Sequence, residues 1–167
     1  MSPAEKEQAL DIALQRWVTV GLAKQWLGTP FHHGAAVMGS GVDCAHLAAS
    51  VYEEAGVLQH GKIGYYSPDW FLHEDAERLL ERVGEFCLQV TSGDQGDLAL
   101  FAFGKASAHV GIVVEWPMII HADRNLGEVV RLVVEPEGPM ARRFTGFWSP
   151  KSWHAESDPS HHSSGEG

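Results

Sequence analysis

The chain changes texture once, near Gly84. Before that point apolar residues recur at helical spacing; after it, short runs rich in β-branched and aromatic residues follow one another, separated by turn residues. Helices first and consecutive strands afterwards restrict the chain to an α+β domain, with N-terminal helices packed on a mostly antiparallel sheet.

Ser2-Pro3-Ala4-Glu5 reads as a helix start, with Ser2 as N-cap, Pro3 in the first turn and Glu5 near a capping-box position. Leu10, Ala13, Leu14, Trp17, Gly21 and Leu22 follow at helical spacing and predict a buried stripe on a helix ending near Trp26, before Gly28-Thr29-Pro30. Residues 28–41 form a glycine-punctuated loop. A second helix begins at Asp43 or Cys44, with Leu47, Ala48, Val51, Tyr52 and Ala55 on one face and Gly56 as C-cap. Ser67-Pro68-Asp69 signals a third helix, buried through Phe71, Leu72, Ala76, Leu79, Leu80 and Val83. Strands are expected at 86–90, 98–103, 109–115, 118–122, 129–134 and 144–148. Residues 1–154 make one domain; 155–167, rich in Ser, His, Gly and Glu without apolar periodicity, read as a disordered tail.

With 167 residues, 44% of them hydrophobic, the chain can bury a core without disulfides or a structural metal. Acidic residues outnumber basic ones by 22 to 12, and the net charge of -10 argues against nucleic acid and anionic lipid as partners. No window approaches the ~20 apolar residues of a membrane span. Met1 is not followed by a basic and then apolar leader, so the expectation is synthesis in the cytoplasm as a soluble protein, with delivery by some other route if it acts outside. Cys44 and Cys87 are the only cysteines, and neither sits in a CxxC pair.

Cys44 is the residue on which a catalytic reading turns. An Asp N-cap followed by a helix sets its sulfur near the positive end of the helix dipole, which favours thiolate; the alternative is a buried structural cysteine. His109 opens the run His-Val-Gly-Ile-Val-Val-Glu and His121 closes Met-Ile-Ile-His. Paired as antiparallel neighbours, the two runs bring both histidines to one end of a hairpin. His109 could then accept the thiol proton while His121 holds its other ring nitrogen. The bland reading makes them rim or core histidines. A zinc site of Cys44, His109 and His121 is chemically allowed, but no HExxH or paired CxxC supports it.

Four motifs in order carry a resemblance: Gly41-Val42-Asp43-Cys44, Gly96-Asp97-Leu98-Ala99-Leu100-Phe101, Ala108-His109-Val110-Gly111-Ile112 and Ile119-Ile120-His121-Ala122. Together they resemble the NlpC-type family of papain-like cell-wall cysteine peptidases over residues 14 to 150. The resemblance implies Cys44 as nucleophile, His109 as base and His121 as orienting residue, with no metal or other cofactor. It implies hydrolysis of amide bonds in peptidoglycan stem peptides, typically after γ-linked D-glutamate. Pro30-Phe31-His32-His33 ahead of the Cys motif looks most like the versions attached to phage tails and phage-like particles, so phage-tail proteins are implied partners and the bacterial wall the place of action.

Two positions depart from the family pattern. Ala45-His46 stand where Ser-Gly is common, and Phe31 stands where a Tyr hydroxyl often assists the oxyanion, leaving His32 or His33 as substitute donors. These departures support a second reading, a structural tail-tip or wall-binding module that keeps a peptidase fold. Asp123 falls on the same strand face as His121 and could support it. Asp97 reads as a turn-former, and Cys87 as a small core residue. The six tryptophans read as core or rim packing, and His161-His162 as solvated groups.

Overall fold

The computed structural model describes residues 1–59, 76–104 and 108–154, and only the backbone of 76–80. The first helix, α1, spans Pro3–Gln25. Its start is the expected capping box: the Ser2 hydroxyl accepts from the Glu5 backbone N–H at 3.2 Å, and the Ser2 N–H donates to the Glu5 carboxylate at 2.6 Å. A two-strand ribbon of β1 (Ala36–Val37) and β2 (Gly41–Val42) leads into α2 (Cys44–Glu54). Then come α3 (Ala76–Phe86), β3 (Cys87–Val90), β4 (Leu98–Ala102), β5 (Ala108–Glu115), β6 (Met118–Asp123), β7 (Glu128–Val133), α4 (Pro139–Arg143) and β8 (Phe144–Pro150). A short 3-10 turn, Lys151–Trp153, follows.

The six longer strands form one antiparallel sheet in the order β3-β8-β4-β5-β6-β7. The α+β expectation is therefore met, and each anticipated strand forms within two residues of its expected ends. Both faces of the central strands are covered. Leu98, Leu100, Val110, Ile112, Ile120 and Ala122 pack with Leu47, Ala48, Val51 and Tyr52 of α2. Ala99, Phe101, Val113, Ile119, Val134 and Phe147 make a second cluster on the opposite face, against Trp116, Phe144 and Met140. This two-sided burial explains why β4 reads as an unbroken apolar run instead of alternating with polar residues. Each fully buried Leu or Ile contributes about 2 kcal/mol, so α2 is held firmly where it carries Cys44.

Three differences from the sequence expectation have physical causes. The stripe assigned to the core on α1 is largely exposed: Leu10 by 71%, Leu14 by 58% and Trp17 by 69%. The helix instead buries Thr19, Val20 and Ala23, because only its second half reaches the body of the protein. Residues 36–42 form the small ribbon where a loop was expected. The turn expected at Pro136-Glu137-Gly138-Pro139 opens α4, with Pro139 in its first turn. The expected third-helix start at Ser67 and the tail at 155–167 lie outside the described residues.

Asp97 does more than shape a turn. Its carboxylate accepts from the Asp94 backbone N–H at 2.8 Å, the Arg16 guanidinium at 2.9 Å and the Ser149 hydroxyl at 2.5 Å. Arg16 also lies over the Trp153 ring, 4.4 Å from its centroid, and the Trp153 indole N–H donates to Gln15 at 2.7 Å. The neighbouring Gly96 has φ +83 and lies so close to Trp153 that a Cβ there would sit 2.9 Å from the ring, so only glycine fits. One buried carboxylate thus joins α1, β4, β8 and the final turn. Cys87 is buried in the core, as expected.

Candidate active site

The Cys44 segment is built by backbone pairing before any catalytic group is considered. Residues 30–32 run beside 41–43: the Val42 N–H donates to Pro30 O at 3.0 Å and the His32 N–H to Val42 O at 3.0 Å. Gly41 permits this approach, since a Cβ there would fall 2.7 Å from the His32 Cβ. Asp43 then caps α2. Its Oδ1 accepts the His46 backbone N–H at 2.9 Å and lies 2.8 Å from His46 Nδ1, while Oδ2 accepts the Gly34 N–H at 2.8 Å. His46, which the family pattern makes anomalous, is thus the side-chain partner of the N-cap carboxylate.

Cys44 occupies the first position of α2 and is partly exposed. The backbone N–H groups of Val110, Ala45 and Cys44 itself are turned toward its sulfur. Val110 is one peptide beyond His109, so the sulfur meets β5 beside that histidine. No hydrogen bond joins Cys44 to His109 among the described contacts.

His109 and His121 share a hydrogen bond between Nε2 of the first and Nδ1 of the second, at 2.7 Å, with their rings nearly perpendicular. Strand alternation puts both on the sheet face opposite Val110 and Ile120. Phe101 and Phe103 flank the His109 ring, with centroids 6.2 and 5.8 Å away. His121 is almost wholly buried, and its Nε2 has no hydrogen-bond partner among the described residues. That nitrogen faces the Asp123 Oδ2 at 3.7 Å. Asp123 Oδ1 meanwhile accepts the backbone N–H groups of Asn125 and Leu126 at 2.8 and 2.9 Å, which fixes the carboxylate in its turn.

The electrostatics run against a resting ion pair. Burial, reinforced by the neighbouring Asp43 carboxylate, pushes the Cys44 thiol up to about 12; the three backbone N–H groups oppose this only in part. The helix N-terminus alone favours thiolate, but here desolvation and the capping charge win. Burial and then His121 pull His109 down to about 3, with Asp123 opposing. His121 is lowered by burial, again against Asp123. The resting groups are a neutral thiol and two neutral imidazoles.

The structure joins His109 and His121 by their hydrogen bond, on the sheet face opposite the one α2 covers, whereas Cys44 packs on the α2 side, and no described contact links it to either histidine. Phe31 sits beside Val42, half-buried against the helix-side core, while His32 and His33 are exposed. Asp43's second bond to Gly34 and the turn that orients Asp123 were not anticipated; Asp123-Arg124-Asn125 is itself an Asx-turn signal. Among the described residues no group of three or more His, Cys, Asp or Glu is placed to hold a metal ion. No helix among them is long and apolar enough to cross a membrane.

A cysteine at the N-terminus of a helix packed on an antiparallel sheet that carries a histidine pair is the papain-like α+β arrangement. A family model described as the NlpC/P60 family matches residues 28–155, and the chain belongs to that family of cysteine peptidases and peptidoglycan hydrolases. The same fold occurs in an NlpC/P60 family protein from Bacillus cereus, with 20% identity and a TM-score of 0.57 over 79% of this chain and 39% of that one. It occurs too in the peptidoglycan hydrolase RipB from Mycobacterium tuberculosis, with 17% identity and a TM-score of 0.53 over 84% of this chain and 66% of that one. The NlpC/p60 domain of peptidoglycan hydrolase SagA gives 23% identity and a TM-score of 0.50 over 80% of this chain and 96% of that domain. The chain thus spans well under half of the Bacillus protein. No curated protein sequence matches it.

Proposed function

We propose that the protein is a cysteine endopeptidase acting on amide bonds of peptidoglycan stem peptides, with Cys44 as nucleophile, His109 as base and His121 as the residue that orients the base. The observation that carries the reading is the 2.7 Å bond between His109 Nε2 and His121 Nδ1. It commits one ring nitrogen of His109 to His121 and leaves Nδ1 as the only nitrogen free to take a thiol proton.

Because thiol and imidazole both rest neutral, the proton must move during attack. Cys44 Sγ bonds to the carbonyl carbon as its proton passes to His109 Nδ1, and the oxyanion is met by backbone N–H groups at the start of α2. The C–N bond then breaks, His109 returns the proton to the departing amine, and a thioester remains. Water adds with His109 taking its proton; the C–S bond breaks and the thiol is re-formed. The γ-D-glutamyl–diamino acid bond is the proposed point of cleavage, supported by the resemblance of the four motifs.

Mass analysis of defined muropeptides treated with the protein and with Cys44→Ala tests this. Cleavage lost only in the variant is the expected result; cleavage by neither, across substrates and pH, sinks it. Delivery in a phage tail or phage-like particle is supported by the Pro30-Phe31-His32-His33 segment, and its test is detection of the chain in purified particles.

A second reading, a wall-binding or tail-tip module of low or no activity, draws on the raised Cys44 thiol and on Phe31 in place of a phenol. Binding of the Cys44→Ala variant to intact wall, without cleavage by the unmodified protein, would favour it.

A further inference from the structure

Among the described residues, the outer face of α1 carries three exposed large apolar side chains that the site leaves unused. Leu10, Leu14 and Trp17 point away from the protein, whereas Thr19, Val20 and Ala23 point into it. At about 100° of rotation per residue the two sets lie on opposite sides of the helix. Glu7, Leu10, Leu14, Trp17, Gly21 and Lys24 form one exposed stripe in alternating steps of three and four residues, the spacing of a coiled-coil seam.

This stripe is complementary to its own reversal. Read from its two ends, Glu7 matches Lys24, Leu10 matches Gly21, and Leu14 matches Trp17. We propose that the face docks a second copy of the chain, α1 against α1 in antiparallel orientation, about a twofold axis between Leu14 and Trp17.

Charge and size both select that arrangement. Each Glu7 carboxylate meets the partner's Lys24 ammonium, so the interface closes with two opposite-charge pairs. Each Leu10 lies over the partner's Gly21, where a Cβ would meet nothing of its own chain within 4 Å. At the centre Leu14 packs on the partner's Trp17. A parallel pair would oppose Glu7 to Glu7, Lys24 to Lys24 and Trp17 to Trp17. A twofold antiparallel contact also uses the same patch on both copies and closes without propagating. Since the stripe lies opposite the buried face of α1, the two domains fall on either side of the helix pair. The interface is small and the dimer correspondingly weak, in the micromolar range.

Sedimentation equilibrium over a concentration series tests the proposal, with circular dichroism confirming that each variant is folded. A monomer–dimer equilibrium is expected for the unmodified chain, and Trp17→Ala should remove the dimer. Glu7→Lys and Lys24→Glu should each weaken it roughly tenfold, because both symmetry-related pairs become repulsive. The double variant Glu7→Lys, Lys24→Glu should recover the lost affinity. A single monomer mass far above micromolar concentration overturns the proposal. So does a dimer indifferent to Trp17→Ala, a double variant no tighter than the singles, or a monomer whose Trp17 face binds a different protein.

Discussion

His121 stands between two groups: its Nδ1 bonds His109 Nε2 at 2.7 Å, and its Nε2 faces the Asp123 carboxylate at 3.7 Å. The order fixes a direction for the protons. With its proton on Nε2, toward Asp123, His121 offers a lone pair at Nδ1; His109 then keeps its proton on Nε2 and presents Nδ1 unprotonated. Reversing His121 alone sets N–H against N–H across the 2.7 Å contact, and reversing His109 alone sets lone pair against lone pair.

The two histidines should therefore fail differently. His109→Ala is expected to abolish turnover, since each attack needs a proton acceptor. His121→Ala should lower kcat by roughly a hundredfold and leave a measurable residue. His121→Asn, which can still accept from His109, should fall between. Steady-state kinetics on muropeptides decides; a greater loss from His121→Ala would reverse the roles.

Asp123→Asn should reduce kcat by about tenfold and move the acid limb of kcat/KM to lower pH. The carboxylate raises the pKa of both histidines against the effect of burial. Removing it lets both fall further, so the base stays unprotonated into more acid solution. An acid limb that is unmoved, or moves upward, would exclude Asp123 from the chain of groups.

The same burial makes the fold sensitive to acid. His109 is held below its ordinary value of 6.5, down to about 3, so between these values the unfolded chain binds a proton that the folded one refuses. The stability it contributes is fully present above pH 6.5 and is lost as pH falls toward 3. Melting temperature should drop through that window, and His109→Gln should flatten the drop. An equal slope in the variant would place the acid sensitivity elsewhere.

Thiol chemistry should be slow but selective. Both Cys44 and Cys87 are pushed up to about 12, chiefly by burial, so alkylation by iodoacetamide near neutral pH should be sluggish for each. Cys44 is partly exposed and Cys87 is not, so peptide mapping should find Cys44 modified first. Modification of Cys87 ahead of Cys44 would count heavily against the assignment.

The strands were legible because turn residues such as Ser92-Gly93 and Asn125-Leu126-Gly127 bracket them, and α1 and α2 because Ser2 and Asp43 are unambiguous caps. The place of Cys44 at a helix start and the pairing of His109 with His121 were legible because caps and strand spacing survive without coordinates. What could not be read is what depends on distant neighbours. Leu10, Leu14 and Trp17 have the spacing of a core stripe, but no periodicity says how far along a helix the body of the protein extends. Likewise Asp43 was legible as a cap favourable to the helix, yet its charge beside the sulfur, and the burial around both, oppose the thiolate that the helix favours. Propensity is local; the sign of that balance is not.

The Asp97 cluster carries a mechanical consequence. Arg16 belongs to the first helix and Ser149 and Trp153 to the last described stretch, yet all three converge on the same turn, so that helix and that stretch are latched to one another. Tension entering through α1 or the final turn meets this latch ahead of the histidine pair.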